Sequence, residues 1–494
     1  MITRHFNRTS ASCLASALAL VISTTAAADW TRFRGPNGSG AAADSEPVPT
    51  SWSPDKNIRW SIDMPGPGTS GPIVVGGKVF ITCWSGYAED DQNDSGDLDD
   101  LKRHLICVDR TSGKILWNKT VKAKLPEEPF RGMFTNHGYA SHTPVSDGER
   151  VYAFFGKSGV HAFDLDGAKL WSADVGNGLD RRGWGSAASP ILAGDKLIVT
   201  ASIESNALIA LDKMTGKELW KSAAEVFAGI WGTPILVGSD DKQEIALAIN
   251  GEVWGINPES GKLNWYGAGL AGRNATISLV EKDGVVMGLG SRGAGSMAIK
   301  AGGKDDVTDS RTVWRGKDGP NIVTPVLLED RLYWATGSIA YCRDAKTGKE
   351  IYTERLPGPS TGSTSSERDR SSGRFGGGRP GGGGRTEGGF RDGRPGGDRS
   401  GIRRPGGQRS GGGSRGGNGG RFGGADYASP IAAGGHIYAL LGAGETIVLK
   451  AGDKFELVGR NKLGEAGERF TGTPAADMGQ LFIRSSRKLY CIEE

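Results

Sequence analysis

The chain has 494 residues and a net charge of only +4. It is long enough for a large core, and its charge excludes a polyanion binder built over its whole surface. Glycine is far above its ordinary share of roughly 7%, with 80 residues, partly in one low-complexity block and partly in recurring turns. Beyond Cys13 the only cysteines are Cys83, Cys107, Cys342 and Cys491, too few for a disulfide framework.

Residues 1–28 read as a secretory signal peptide. Arg4 and Arg8 precede an apolar run from Ala11 to Ile22, and Ala26-Ala27-Ala28 offers a small-residue cleavage site before Asp29. The run is shorter than the ~20 apolar residues of a spanning helix, and no other stretch is long enough. The expectation is an exported protein, periplasmic or extracellular, cleaved near Ala28. A Pro/Gly/Ser-rich segment then leads to Asn57–Asp63, a strand carrying Trp60 that ends a repeat whose beginning is missing.

Repeat units follow. Their clearest copy is Ala210-Leu-Asp-Lys-Met-Thr-Gly-Lys-Glu-Leu-Trp220: a strand end, a tight turn and a second strand with a large aromatic. In it Asp212 is placed to cap the turn, Gly216 to supply positive φ and Trp220 to wedge against a neighbour. The same roles fall to Asp109, Gly113 and Trp117, and to Asp344, Gly348 and Tyr352. Partial copies carry Asp164 and Trp171, Gly261 and Trp265, and Trp314. Units open at Gly71, Thr143-Pro144, Ser189-Pro190, Thr233-Pro234, Ile277-Ser278, Thr324-Pro325, Ser429-Pro430 and Thr473-Pro474. Each holds about four short alternating strands, the pattern of propeller blades. The last unit lacks its final strand, and the Trp60 strand supplies it, closing the ring and removing open edges. The expected fold is all-β: an eight-bladed β-propeller, with the closing strand and blades 1–6 in residues 29–357 and blades 7–8 in 425–494.

The pattern Ala-x-Asp-x-x-Thr-Gly-x-x-x-Trp closely resembles the repeat of the pyrroloquinoline-quinone (PQQ) propeller superfamily. That superfamily includes eight-bladed quinoprotein alcohol dehydrogenases and non-catalytic members of the BamB type. The resemblance spans nearly the whole mature chain and implies the fold; the motif is structural and leaves function open. The dehydrogenases use an adjacent cysteine pair over the quinone and a calcium held by Glu, Asn and Asp. This chain has no adjacent cysteines and no recognisable copy of that metal set. His137 and His142 share a loop, but their spacing outside a helix is no metal signature, and no nucleophile–base motif occurs.

Pocket residues in propellers generally come from the face formed by the loops leading into each blade's first strand. Here these lead-in loops carry Asn136, His137, Tyr139, His142, Trp184, Trp231, Arg273, Asn274, Asn321, Tyr427 and Arg469, the candidate ligand face, suited to a polar ligand or peptide. Two insertions depart from the repeat. Glu89–Asp100 is strongly acidic and reads as a solvated loop. Residues 358–424 are Gly/Arg/Ser-rich with 13 arginines against five acids, too poor in apolar residues to bury a core, and are expected to be disordered. Export disfavours a nucleic-acid partner for them.

The reading favoured is an exported, monomeric, non-catalytic scaffold that binds an envelope protein or anionic polymer through the lead-in face, with no cofactor. The alternative is a PQQ- and calcium-dependent oxidoreductase with a divergent site. A Cys83–Cys107 bridge is open in an oxidising compartment.

Overall fold

A computed structural model describes residues 30–42, 47–90, 93–239, 242–270, 276–290, 295–317, 319–320, 322–358, 426–465 and 467–494. The signal peptide, the Gly/Arg-rich insert, Arg273, Asn274 and Asn321 lie outside the described residues. The chain divides into two units, residues 1–356 with 424–494, and residues 357–423. The first unit carries the repeats.

Strand alternation produces eight antiparallel sheets of four strands each in simple up-and-down order, one of them extended by a fifth. They are the eight blades of a β-propeller. Blade 1 is typical: Ile73–Val75, Lys78–Ser85, Lys102–Asp109 and Ile115–Lys122. Its inner strands are buried, while its outer strand alternates half-buried and exposed residues. In the eighth blade, Ile58–Asp63 pairs antiparallel with Lys488–Ile492, so the N-terminal strand closes the ring as the sequence requires.

The turn motif does its expected work and reveals its partner. The Asp212 carboxylate accepts the amides of Met214 and Thr215, and Gly216 sits at φ 74°. The ring of Trp171, one blade earlier, lies against that glycine, and its Nε1 donates to the Lys213 carbonyl at 3.1 Å. The same dock repeats. Trp60 donates to the Arg110 carbonyl, Trp117 to Leu165, Trp220 to Pro258 and Trp314 to Ala345. Their rings cover Gly113, Gly167, Gly261 and Gly348 in turn. Each tryptophan therefore fastens its own outer strand to the turn of the following blade. A buried indole N–H needs an acceptor, and the tight turn supplies a carbonyl and a surface free of Cβ.

Three seams are closed differently. Trp265 does not dock on the next blade: it is fully buried, donates to the Glu244 carboxylate at 2.7 Å and covers Gly255 of its own blade. The reason is that blade 5 has no tight turn there; its third and fourth strands, Ser296–Lys300 and Thr312–Gly316, are joined by an excursion. Within it Asp305–Asp306 pairs parallel to the outer strand of blade 4. Tyr352 packs edge-on against Phe455 of blade 7. Between blades 7 and 8, Trp52 stacks on Tyr438, and the Asn461 side chain holds the backbone of Thr50 and Trp52.

The four described cysteines are buried free thiols. A Cys83–Cys107 bridge is not made, because the register sets Cys83 opposite His104 and Cys107 opposite Phe80.

The dock gives a paired test. Gly194 and Gly216 both have positive φ, but a Cβ on Gly194 meets nothing within 4 Å, whereas on Gly216 it lies 2.4 Å from the Trp171 ring. Gly194→Ala should cost about 1 kcal/mol of backbone strain, and Gly216→Ala about 1–3 kcal/mol more through overpacking. Urea unfolding measures both; equal midpoints would refute the dock.

Candidate functional site: the axial channel and its mouth

The Ser/Thr-Pro heads of the inner strands meet around the axis and are joined into a belt. The Gly71 amide donates to Thr143 Oγ1, the Thr143 amide to Ser189 Oγ, the Ser189 amide to Thr233 Oγ1 and the Thr233 amide to Ser278 Oγ. The Ser278 amide donates to Thr324 Oγ1, Thr324 to Ser429 Oγ and Ser429 to Thr473 Oγ1. All seven bonds are 2.9–3.1 Å long. The eighth position is Gly71, which has no hydroxyl. There Arg484 of blade 8 reaches across to the Thr82 carbonyl and Ser70 Oγ of blade 1. Two residues before each belt position stands a second ring: Thr69, Ser141, Ala187, Trp231, Thr276, Ile322, Tyr427 and Thr471. The two rings, with Asn136, His137 and Phe33, enclose an axial cavity of about 130 Å³.

The far end of this channel is crossed by the segment after Asp29. Trp30 and Thr31 carbonyls accept the amides of Val74 and Ser146. Arg32 donates to the Pro234 carbonyl, and Arg34 to the carbonyls of Thr324 and Pro325. Ala41 pairs with Ala432. These partners lie at or after the belt in their blades, so Phe33 forms a floor and the channel opens toward the lead-in loops. Nothing in the repeat announces this strap. Its only trace in the sequence is two arginines flanking Phe33 just after Trp30, Trp30-Thr-Arg-Phe-Arg34.

The described candidate residues divide into two groups. At the mouth, Asn136, His137, Trp231 and Tyr427 line the cavity. Trp184 pairs with Trp231 at 5.2 Å, with the Arg182 guanidinium over both rings. Arg469 donates to the Thr135 carbonyl, tying the lead-in loop of blade 8 to that of blade 2. His137 is pinned between Ser141 Oγ and the Trp184 carbonyl, and burial lowers its pKa. Tyr139 and His142 are not at the mouth. Tyr139 is buried in an aromatic cluster with Trp84, Phe130 and Phe134, and His142 packs on Phe154. Burial drives His142 down to about 3, so its imidazole stays neutral.

Beside His142 lies a charge cluster that sequence reasoning passed over. Arg103 pairs with Glu127 at 2.8 Å and Lys157 with Glu128 at 3.0 Å, all four side chains buried. Glu204 joins them, accepting from Ser186 at 2.5 Å with its second oxygen unpartnered. Scattered through three blades, these residues share no spacing that a sequence could display. The cavity among them, about 20 Å³, is sized for one water.

Among the described residues no Asp or Glu lines the axial cavity, and no group of three or more His, Cys, Asp or Glu could hold a metal. Calcium takes oxygen ligands that include carboxylates, so the described wall does not fit the calcium of a quinone site. The described cysteines lie on separate strands, which offers no vicinal pair to cover a quinone.

Glu204 carries a measurable consequence. Burial raises its carboxyl from 4.5 to about 7. The folded state holds this proton more tightly than the unfolded state, so its contribution is fully present below pH 4.5 and is lost as pH rises through 7. The change is about 3 kcal/mol, at about 1.4 kcal/mol for each tenfold difference in proton affinity. Glu204→Gln should flatten stability between pH 5 and pH 8 by about that amount, measured by denaturation at each pH. An unchanged profile would place the Glu204 ionisation in solvent.

A family model described as "Outer membrane protein assembly factor BamB" matches residues 55–221 and 156–361. No curated protein matches in sequence. Among solved structures, the quinohemoprotein alcohol dehydrogenase of Comamonas testosteroni superposes with TM-score 0.55 at 9% identity, covering 94% of this chain and 80% of that one. The computationally designed protein Ika8 gives 0.52 at 9% identity, covering 89% and 100%. BamB from Moraxella catarrhalis gives 0.48 at 12% identity, covering 88% and 97%. An enzyme and a designed protein share this fold at such identities, so the likeness speaks for architecture alone. The sequence match covers more than half of the chain, from the closing strand through blade 6, and the chain belongs to the BamB-type family of PQQ-like propellers.

Proposed function

We propose that this protein is an exported, monomeric, non-catalytic scaffold of the cell envelope that binds a partner protein through the lead-in-loop face. The family match is the observation that carries the reading: the matched family is described as an outer-membrane assembly factor. The local chemistry supports it. Trp184 and Trp231 are half-buried and carry Arg182 over their rings, and Tyr427 and Arg469 stand in neighbouring lead-in loops. Trp, Tyr and Arg are the residues that anchor protein interfaces. No helix among the described residues is long and apolar enough to cross a membrane, in keeping with a scaffold that works beside the bilayer. The quinoprotein alternative is weaker, because the described wall offers calcium no carboxylate and a quinone no vicinal cysteines.

The test is capture of envelope proteins by the immobilised mature chain. A Trp184→Ala/Trp231→Ala double variant should weaken capture of the dominant partner at least about tenfold, as loss of an interface anchor does. Met214→Ala, in an exposed turn at the opposite ends of the strands, should leave it unchanged. Equal capture by both variants would exclude the lead-in face as the partner surface. Saturable PQQ binding with calcium, coupled to dye-linked alcohol oxidation, would favour the oxidoreductase.

A further inference from the structure

The belt leaves its hydroxyl protons unused. Each belt Oγ accepts an amide from the preceding blade. None donates to a protein acceptor among the described residues. A hydroxyl has one donor and two acceptor sites, so with the amide bound its O–H is free to turn toward the axis. Seven such donors border a single cavity. Thr276 in the second ring adds another hydroxyl, buried and without a partner.

The carboxylates nearest that cavity are already engaged: Glu204 accepts from Ser186 beside the wall residue Ala187, and Asp426, beside Tyr427, accepts the amides of Gly337 and Gly442. Among the described residues the cavity wall contains no Asp, Glu, Lys or Arg. Immediately behind it three guanidiniums are buried: Arg32 and Arg34, flanking the floor residue Phe33, and Arg484, bonded to Ser70 between the wall residues Thr69 and Gly71. Arg32 and Arg34 bond only to backbone carbonyls, and Arg484 to two carbonyls and the Ser70 hydroxyl. None of the three forms an ion pair with a carboxylate among the described residues. Burial lowers Arg34 to about 9, which leaves it charged at neutral pH. Buried ions are ordinarily paired, and carbonyl dipoles only partly offset a full charge. What remains is three guanidiniums without a carboxylate partner, close behind a wall whose described residues present O–H donors and no carboxylate.

We propose that the axial channel is a binding site for a compact oxyanion, held by belt hydroxyls and by the field of Arg32, Arg34 and Arg484 rather than by a direct salt bridge. This does not rest on the scaffold reading. The oxyanion is either a free inorganic ion or a carboxylate carried in by another molecule, and the experiment separates them.

The mature full chain is titrated with sodium sulfate, sodium phosphate and sodium acetate at ionic strength matched with chloride, followed by calorimetry and thermal melting. Saturable one-to-one binding of sulfate or phosphate with acetate inert identifies an inorganic tetrahedral ion. Saturable binding of acetate identifies a carboxylate. Thr276→Glu sets a fixed negative charge in the cavity and should weaken the bound ion about a hundredfold or more, the effect of several kcal/mol of like-charge repulsion. Thr276→Gln, matched in size and neutral, should stay within about tenfold of wild type and controls for folding. For a tetrahedral ion, selenate soaked into crystals should give an anomalous peak on the axis. The proposal is overturned if none of the three anions binds saturably, if the Glu and Gln variants bind equally, or if selenate sits only on the outer surface.

Discussion

The bond from the amide at the head of one inner strand to the hydroxyl at the head of the next sets the geometry of the axis. Seven of eight junctions carry it. It explains why six of the eight blades open on Ser or Thr followed by Pro. The hydroxyl spans the gap to the preceding blade, and the proline that follows fixes φ and has no N–H to satisfy. Because each residue is both donor, through its amide, and acceptor, through its side chain, displacement of one blade strains two junctions. The break at Gly71 falls where the two ends of the propeller meet. That seam is instead closed by Arg484 inside, by the Ile58–Asp63 strand within the blade and by Trp60 at the rim.

Rim and axis are thus fastened by different chemistry. At the rim a flat indole covers a glycine turn, which is tolerant of what the remaining strand positions carry. At the axis, short polar side chains with little conformational freedom make directed bonds. The strap from Trp30 to Ala41 then closes one end with arginine-to-carbonyl bonds. The result, among the described residues, is a channel floored by Phe33 that opens toward the lead-in loops. Rigid scaffold and variable loop are combined there in the way binding sites usually require.

Much of this was legible in the sequence. Asp212, Gly216 and Trp220 gave the blade register, and the unit that lacks a strand gave the closure, because both are local patterns repeated at a fixed spacing. The recipient of each tryptophan was less visible, since it belongs to a different copy of the motif. Trp265 broke the rule because of a missing turn one blade later. Of the candidate face, Asn136, His137, Trp231 and Tyr427 do meet at one cavity, whereas Tyr139 and His142 turn inward to pack. The irregular course of residues 137–144 decides that, and no periodic pattern in the sequence marks it. The roles of Arg32, Arg34 and Glu204 were not legible. Their meaning comes from contacts with residues far away in the chain, and composition treats them as ordinary surface charges.

On the scaffold reading proposed above, the floored polar channel, the aromatic mouth and the strap behind them serve recognition. All depend on the belt holding the axis rigid while the mouth is left free. Hydrogen exchange of the mature protein tests that most directly. The amides of Gly71, Thr143, Ser189, Thr233, Ser278, Thr324 and Ser429 should exchange together in the slowest class, opening only with global unfolding. Exchange of these amides as fast as those of the lead-in loops would contradict a rigid belt.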